Sequence, residues 1–274
     1  MTYNELCNRL APVYDAGEAR AIIRLVLEEA FGLTATDIYM GKVNQFSADN
    51  LRKLEEIMDR LERAEPVQYV LGTAEFCHRN FTVTADVLIP RPETQLLPAM
   101  IGRDMTAPFT LLDIGTGSGC IAITAALDLP GAHVTAWDVS AGALAVARDN
   151  GDRLGARVDW HLQDALRAPS DKHRWDAIVS NPPYICERER SDMAPNVLRH
   201  EPELALFVPD DDPLLFYRAI ARYAAGALKP GGRLYFEINP LYAGDLCRML
   251  GNHGFSCAVS EDQFGKQRFI NAKL

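Results

Sequence analysis

The sequence predicts an α/β protein built on a doubly wound, mostly parallel sheet, preceded by a small helical bundle. Three observations predict it. From about residue 109 to the last residues, short apolar runs alternate with helical patterns, the mark of parallel strands joined by helical crossovers. The first run, Leu111-Leu112-Asp113-Ile114, passes directly into Gly115-Thr116-Gly117-Ser118-Gly119 and a helix beginning near Ile121. A later run, Ala177-Ile178-Val179, ends in Asn181-Pro182-Pro183-Tyr184, where two prolines forbid any continuation of the strand.

Composition narrows the class. A chain of 274 residues makes one large or two modest domains. A net charge of -9 and a pI of about 5.2 argue against a broad phosphate-binding face, because nucleic-acid binding leaves a basic footprint. The six cysteines contain no C-x-x-C pair, so reduced structural thiols are expected and no metal site. Met1 to Glu5 carry no basic segment leading into an apolar one, and no stretch reaches the ~20 apolar residues a membrane helix needs. A cytoplasmic enzyme acting as a monomer, away from membranes, is the expectation.

Residues 1–72 read as helices. Asp15 with Glu18 fits a capping box, Ile22, Ile23, Val26, Leu27 and Ala30 form one face, and Gly32 is a stop. A second helix begins at Ser47, with Leu51, Leu54, Ile57, Met58 and Leu61 at helical spacing and Pro66 beyond its end. Its mixed-charge polar face reads as solvated, and the bundle as a surface that holds a partner. Residues 73–92 read as a β-hairpin linker carrying Phe76, Phe81, Val83, Val87, Leu88 and Ile89, with Asp86 as the turn candidate. It closes on Pro90-Arg91-Pro92-Glu93-Thr94, which taken alone is a stiff linker.

Residues 93–274 form the α/β domain. Strands are expected at 111–114, 134–137, 158–162, 177–179, 234–238, 255–259 and 267–272. Helices are expected at 121–127, 141–154, 214–228 and 243–250. A short turn at Gly265 makes one of the last two strands antiparallel. Residues 184–214 show little periodicity and four prolines; a connection this long is usually functional or mobile. Because it starts at the Asn-Pro-Pro-Tyr turn, it suggests a cover over a substrate.

Two constellations carry chemistry. The glycine turn lets a ligand approach the backbone, but its spacing is G-x-G-x-G rather than the dinucleotide fingerprint. Asp138 ends the next strand, 25 residues after Asp113, where a carboxylate can hold both hydroxyls of a ribose. Asp113 adds a second negative charge, which suits a ligand with a cationic amino group; a structural turn carboxylate is the other reading. At the second constellation, Asn181 precedes a proline and is held extended. Its side-chain carbonyl and the Pro182 carbonyl can each accept an N–H, since Pro183 has none to offer. Two acceptors side by side can hold and orient the donor group of a substrate. Tyr184 can pack on such a group.

The glycine turn, Asp138 and Asn-Pro-Pro-Tyr together resemble the class I S-adenosylmethionine-dependent methyltransferases. The resemblance implies a seven-stranded, Rossmann-like methyltransferase sheet. It also implies S-adenosylmethionine as cofactor (leaving as S-adenosylhomocysteine), held by Asp113, Gly115, Thr116, Gly117, Ser118, Gly119 and Asp138. Asp164 and Ala165 would lie near adenine, and Asn181 beside the reacting methyl. Enzymes with Asn-Pro-Pro-Tyr methylate planar nitrogens, either the amine of adenine or a glutamine amide. Duplex DNA demands base flipping and a basic groove, and this chain is acidic, which favours glutamine.

More of the chain resembles the release factor glutamine methyltransferases, the PrmC/HemK family. The matching stretches are residues 65–72, 88–94, 113–121, 181–185 and 201–206, with Leu228 to Gly232 and Gly265 to Arg268. The family implies methylation of the glutamine of a Gly-Gly-Gln loop in class 1 peptide chain release factors. Asn181, Pro182 and Tyr184 would be catalytic. Substrate would be held by these with Pro183, Arg91 and Glu93, and the N-terminal bundle would grip the rest of the factor. Three positions depart from the family pattern: Gln95 replaces a glutamate, Asn239 a glycine, and Ala165 an aromatic residue. A DNA adenine-N6 methyltransferase and a non-catalytic cofactor-binding module are the alternatives.

Overall fold

The computed structural model describes all 274 residues, which divide into two compact units. The first is Met1–Thr73 with Ala194–His200, the second Ala74–Met193 with Glu201–Leu274. In the first unit lie α1 (Tyr3–Leu10), α2 (Ala16–Phe31), α3 (Ala35–Tyr39), α4 (Ala48–Leu61) and α5 (Val67–Leu71). Asp15 caps α2 by accepting the Gly17 and Glu18 amides, and Gly32 ends it at φ 65°. Ser47 caps α4. Leu6, Leu10, Ile23, Leu27, Leu54, Met58 and Leu61 are fully buried together; each side chain of that size contributes about 1.5–3 kcal/mol on burial. Leu51, expected on the buried face of α4, is exposed, because it sits on the first turn, before the stripe formed by Leu54, Ile57, Met58 and Leu61. Helix α5 was not expected. Pro66 precedes it and fits a helix start as well as a stop.

The second unit begins with a hairpin, β1 (Thr73–Phe76) and β2 (Arg79–Thr82), followed by α6 (Leu96–Asp104). Its hairpin is shorter than residues 73–92 and turns at Cys77-His78, both at positive φ (47° and 60°), not at Asp86. Two-residue hairpin loops need positive φ, and without glycine or asparagine the turn carried no sequence signal. Nor is the hairpin a free linker: Phe76 and Phe81 are wholly buried in the unit's core with Leu97 and Ile101 of α6.

The sheet contains β3 (Phe109–Ile114), β4 (Ala132–Asp138), β5 (Val158–Leu162) and β6 (Trp175–Ser180). Helices α7 (Cys120–Asp128) and α8 (Ala141–Leu154) follow β3 and β4. After β6 come β7 (Ile185–Cys186), α9 (Pro195–His200), β8 (Phe207–Val208) and α10 (Leu215–Ala227). The chain closes with β9 (Leu228–Glu237), α11 (Ala243–Asn252), β10 (Ser256–Glu261) and β11 (Gln267–Lys273). The segment expected to lack periodicity therefore holds a two-stranded parallel pair, β7 with β8, and a helix.

The seven-stranded order is β10-β11-β9-β6-β3-β4-β5. Strands β9, β6, β3, β4 and β5 run parallel, and β11 runs against both neighbours. Alternate strand residues feed two apolar layers. Leu112, Ile114, Ile178 and Phe236 pack with Tyr217 and Ile220 of α10. Leu111, Val134, Val179 and Tyr235 pack with Ile121 and Ile123 of α7. Both faces are covered, so the inner strands read as nearly continuous apolar runs. The chain moves outward through β3, β4 and β5, then returns to place β6 on the other side of β3. That reversal is where open α/β sheets form a ligand crevice.

Candidate active site

Register brings the two constellations together. Ile114 pairs with Ser180 across β3 and β6, and with Trp137 across β3 and β4. Gly115, Asn181 and Asp138 therefore leave three adjacent strands at one level. Ser180 Oγ donates to the Ile114 carbonyl at 2.6 Å and locks that alignment. Above it opens a cavity of about 240 Å³, lined entirely from the second unit.

One side of it is built from the glycine turn. Gly115 and Gly117 have φ of 76° and 56°, and a Cβ at either would meet nothing within 4 Å. Conformation demands glycine there, and the bare backbone faces open space. Gly119 differs: a Cβ would come within 2.9 Å of Ile123 and 3.1 Å of Trp160, so it lets α7 pack closely. Asp138 Oδ2 accepts the Gly117 amide and Oδ1 the Ser140 amide, each at 2.9 Å. Burial raises the Asp138 carboxyl above its usual range, and those amides oppose the shift. Each carboxylate oxygen keeps a further lone pair for a hydroxyl donor. Asp164 caps a short turn through the Leu166 amide at 2.8 Å and borders the cavity with Gln163 and Ala165.

Asp113 is not on the cavity surface. It is fully buried behind the turn, its Oδ2 accepting the Thr116 hydroxyl at 2.7 Å, while Oδ1 has no well-formed hydrogen-bond partner. Burial pushes its pKa up to about 7, with Asp138 adding to the shift and Thr116 opposing it. A buried carboxyl with one idle oxygen beneath a bare backbone turn suits a cationic group on the other side. Thr116 and Ser118, also buried, reach the cavity as expected neighbours of the turn. Asn150, which the sequence did not mark, holds the turn from α8. Its Nδ2 donates to the Ser118 carbonyl at 3.0 Å and the Thr82 carbonyl at 2.9 Å.

The opposite wall carries Arg91, Thr94, Asn181, Pro182 and Pro183. Arg91 Nη2 donates to Glu201 Oε1 at 2.8 Å, and Glu201 Oε2 accepts the Ile89 amide at 3.2 Å. This buried carboxylate fixes the Ile89-Pro90-Arg91 run against the cavity. Glu93 and Tyr184, both expected against substrate, are not on the cavity surface. Tyr184 turns instead towards β9, its hydroxyl donating to Glu237 Oε1 at 3.2 Å, because the buried Glu237 needs donors. The same carboxylate takes the Thr94 hydroxyl through Oε2 at 2.6 Å, and Asn181 Nδ2 reaches Thr94 Oγ1 at 3.4 Å. Asn239 is no longer an unexplained departure. Its Nδ2 donates to the Tyr184 carbonyl at 3.2 Å and to Glu189, pinning the end of the tetrapeptide. Phe216 and Ile220 of α10 also border the cavity.

Neither the Asn181 side-chain carbonyl nor the Pro182 carbonyl is spent on the protein: the Asn181 amide uses only Nδ2, and Pro183 has no N–H. The arrangement offers two acceptors, opposite a turn able to bind a cationic ligand, with no group poised as a strong base.

The chain is similar to known proteins along nearly its whole length. Residues 90–204 match the methyltransferase small domain and residues 3–72 the PrmC N-terminal domain. A release factor glutamine methyltransferase of Bacteroides thetaiotaomicron is 49% identical, over 96% of this chain and 95% of its own. One from Flavobacterium psychrophilum is 37% identical, over 97% and 95%. A methyltransferase crystal structure from Pyrococcus furiosus superposes with a TM-score of 0.54 at 17% identity, covering 83% of this chain and 98% of that one, which speaks to the fold alone. Identity of this extent along nearly the full length of both chains places the protein in the release factor glutamine methyltransferase family.

Proposed function

We infer that the protein transfers a methyl group from S-adenosylmethionine to the side-chain amide nitrogen of the Gly-Gly-Gln glutamine in class 1 peptide chain release factors. The observation that carries this reading is the pairing of β3 with β6. It sets a cation-compatible glycine turn beside two unspent carbonyl acceptors. S-adenosylmethionine, when bound, supplies an electrophilic methyl on sulfur. The backbone of Gly115–Gly117 would hold its amino-acid end over Asp113, and Asp138 its ribose. Asp164, Ala165 and Phe216 would border the adenine, Phe216 offering an aromatic surface that Ala165 lacks.

The protein's own task is orientation. An amide nitrogen is a poor nucleophile because its lone pair is delocalised into the carbonyl. Its N–H is too weak an acid for a side-chain base to remove. Asn181 Oδ1 and Pro182 O can each accept one N–H of the substrate NH2, turning the nitrogen lone pair towards the cofactor side. As the new bond forms, positive charge grows on nitrogen and both acceptors stabilise it. Afterwards one N–H proton leaves to solvent. The Pro90-Arg91 run and Glu201 shape the wall against which the glutamine loop would lie. The N-terminal bundle would take the rest of the factor, in the cytoplasm, with the enzyme as a monomer.

Labelled S-adenosylmethionine offered to a release factor, to the factor with its Gly-Gly-Gln glutamine replaced by alanine, and to DNA tests the reading. Label is expected only in the unaltered factor. Label in DNA, in the substituted factor, or in none of them contradicts it.

A further inference from the structure

Asn181 can act as an acceptor only if its amide faces the right way, since a side-chain amide rotated by half a turn presents its NH2 where the carbonyl should be. Donor and acceptor accounting in the structure decides that orientation. Glu237 ends β9 and is only 1% exposed. As a carboxylate it offers acceptors alone. Oε2 takes the Thr94 hydroxyl at 2.6 Å and Oε1 the Tyr184 hydroxyl at 3.2 Å. Thr94 is itself 2% exposed, just before α6. Its single hydroxyl proton is committed to Glu237, so towards Asn181 it can present only a lone pair. A lone pair accepts N–H and repels a carbonyl oxygen, and the 3.4 Å contact is indeed from Asn181 Nδ2.

We propose that Thr94 is the positioning residue for Asn181: polarised by the buried Glu237 carboxylate, its hydroxyl takes the Asn181 NH2 and thereby holds the Asn181 carbonyl towards the substrate amide. The proposal rests on the function inferred above and adds the device that sets its key acceptor. Other groups around Glu237 bear on its charge. Arg268 on β11 favours the carboxylate, Glu93 opposes it, and burial is the largest influence, raising its pKa. The Tyr217 hydroxyl donates to the Glu237 backbone carbonyl at 3.0 Å and leaves the carboxylate to Thr94 and Tyr184. Within the Pro-Glu-Thr motif, then, the threonine is the residue that speaks to Asn-Pro-Pro-Tyr.

Thr94→Val and Thr94→Ser distinguish orientation from packing. Valine keeps the shape and removes the lone pair, whereas serine keeps the hydroxyl and removes a methyl. With release factor as substrate, Thr94→Val is expected to lower kcat by roughly tenfold to a hundredfold. Its S-adenosylmethionine Kd should stay within about threefold of wild type, on the scale where one hydrogen bond is tenfold or so. Thr94→Ser should recover most of the lost rate. Three outcomes overturn the proposal: an unchanged kcat in Thr94→Val, serine as slow as valine, or equal losses in kcat and cofactor affinity, which would mark a packing role. Failure of the underlying function is a separate result, seen as wild-type enzyme that labels no release factor.

Discussion

Arg91 Nη2 and Glu201 Oε1 stand 2.8 Å apart although 110 residues separate them in the chain. The Glu201 side chain is 1% exposed and that of Arg91 30%. Removing the arginine strands a buried carboxylate with only the Ile89 amide as partner, a situation that costs about 3 kcal/mol. Arg91→Ala should therefore destabilise the protein by roughly that amount. Adding Glu201→Gln should return part of the loss, because a neutral amide needs less compensation. Denaturant unfolding of both variants checks this, and a double variant no more stable than Arg91→Ala would contradict it.

Asp138 is the only carboxylate that both borders the cavity and holds the glycine turn through Gly117. Asp138→Ala should weaken S-adenosylmethionine binding by on the order of a hundredfold, the scale of two charge-assisted hydrogen bonds lost. The rate at saturating cofactor should change far less. Calorimetry with the cofactor, paired with single-turnover rates, separates the two effects.

If the glycine turn holds the cofactor, Asp113 should make cofactor binding sensitive to pH. Its pKa is raised to about 7 in the folded protein, so between about pH 4 and 7 the folded state keeps a proton that the unfolded chain releases. Asp113 therefore lowers stability as pH rises through that window. A cationic group bound above the turn favours the ionised form, so cofactor affinity should rise from pH 5.5 towards pH 7, with proton release on binding. Binding enthalpies in buffers of different ionisation heat measure that release. Asp113→Asn should abolish it, and an unchanged proton count in the variant would refute the assignment.

Legibility in the sequence followed locality. The glycine turn, Asp138 and Asn-Pro-Pro-Tyr were readable because each is a short run whose chemistry depends on its neighbours in the chain. Helix α8 was also readable at its observed limits, Ala141 and Leu154. What escaped depends on distant partners. Thr94 and Glu237 are 143 residues apart, and neither has a local reason to be more than a helix-start residue or a strand end. Asn150 looked like one more polar residue of α8 until the fold put Ser118 and Thr82 against it. The partner of the Tyr184 hydroxyl escaped for the same reason, because it is a buried carboxylate on another strand. Helix α6 was missed where Pro98 lay inside the pattern, although proline is tolerated in a first turn.

The most direct test of the account is Asn181→Ala with release factor as substrate, read as single-turnover rate beside S-adenosylmethionine affinity. If Asn181 orients the substrate NH2, the rate should fall by about a hundredfold or more, the scale of losing one preorganised polar contact to developing charge. Cofactor Kd should remain within about threefold. A rate that survives the substitution, or a loss of rate matched by an equal loss of cofactor affinity, would contradict the claim that this side chain positions the substrate amide.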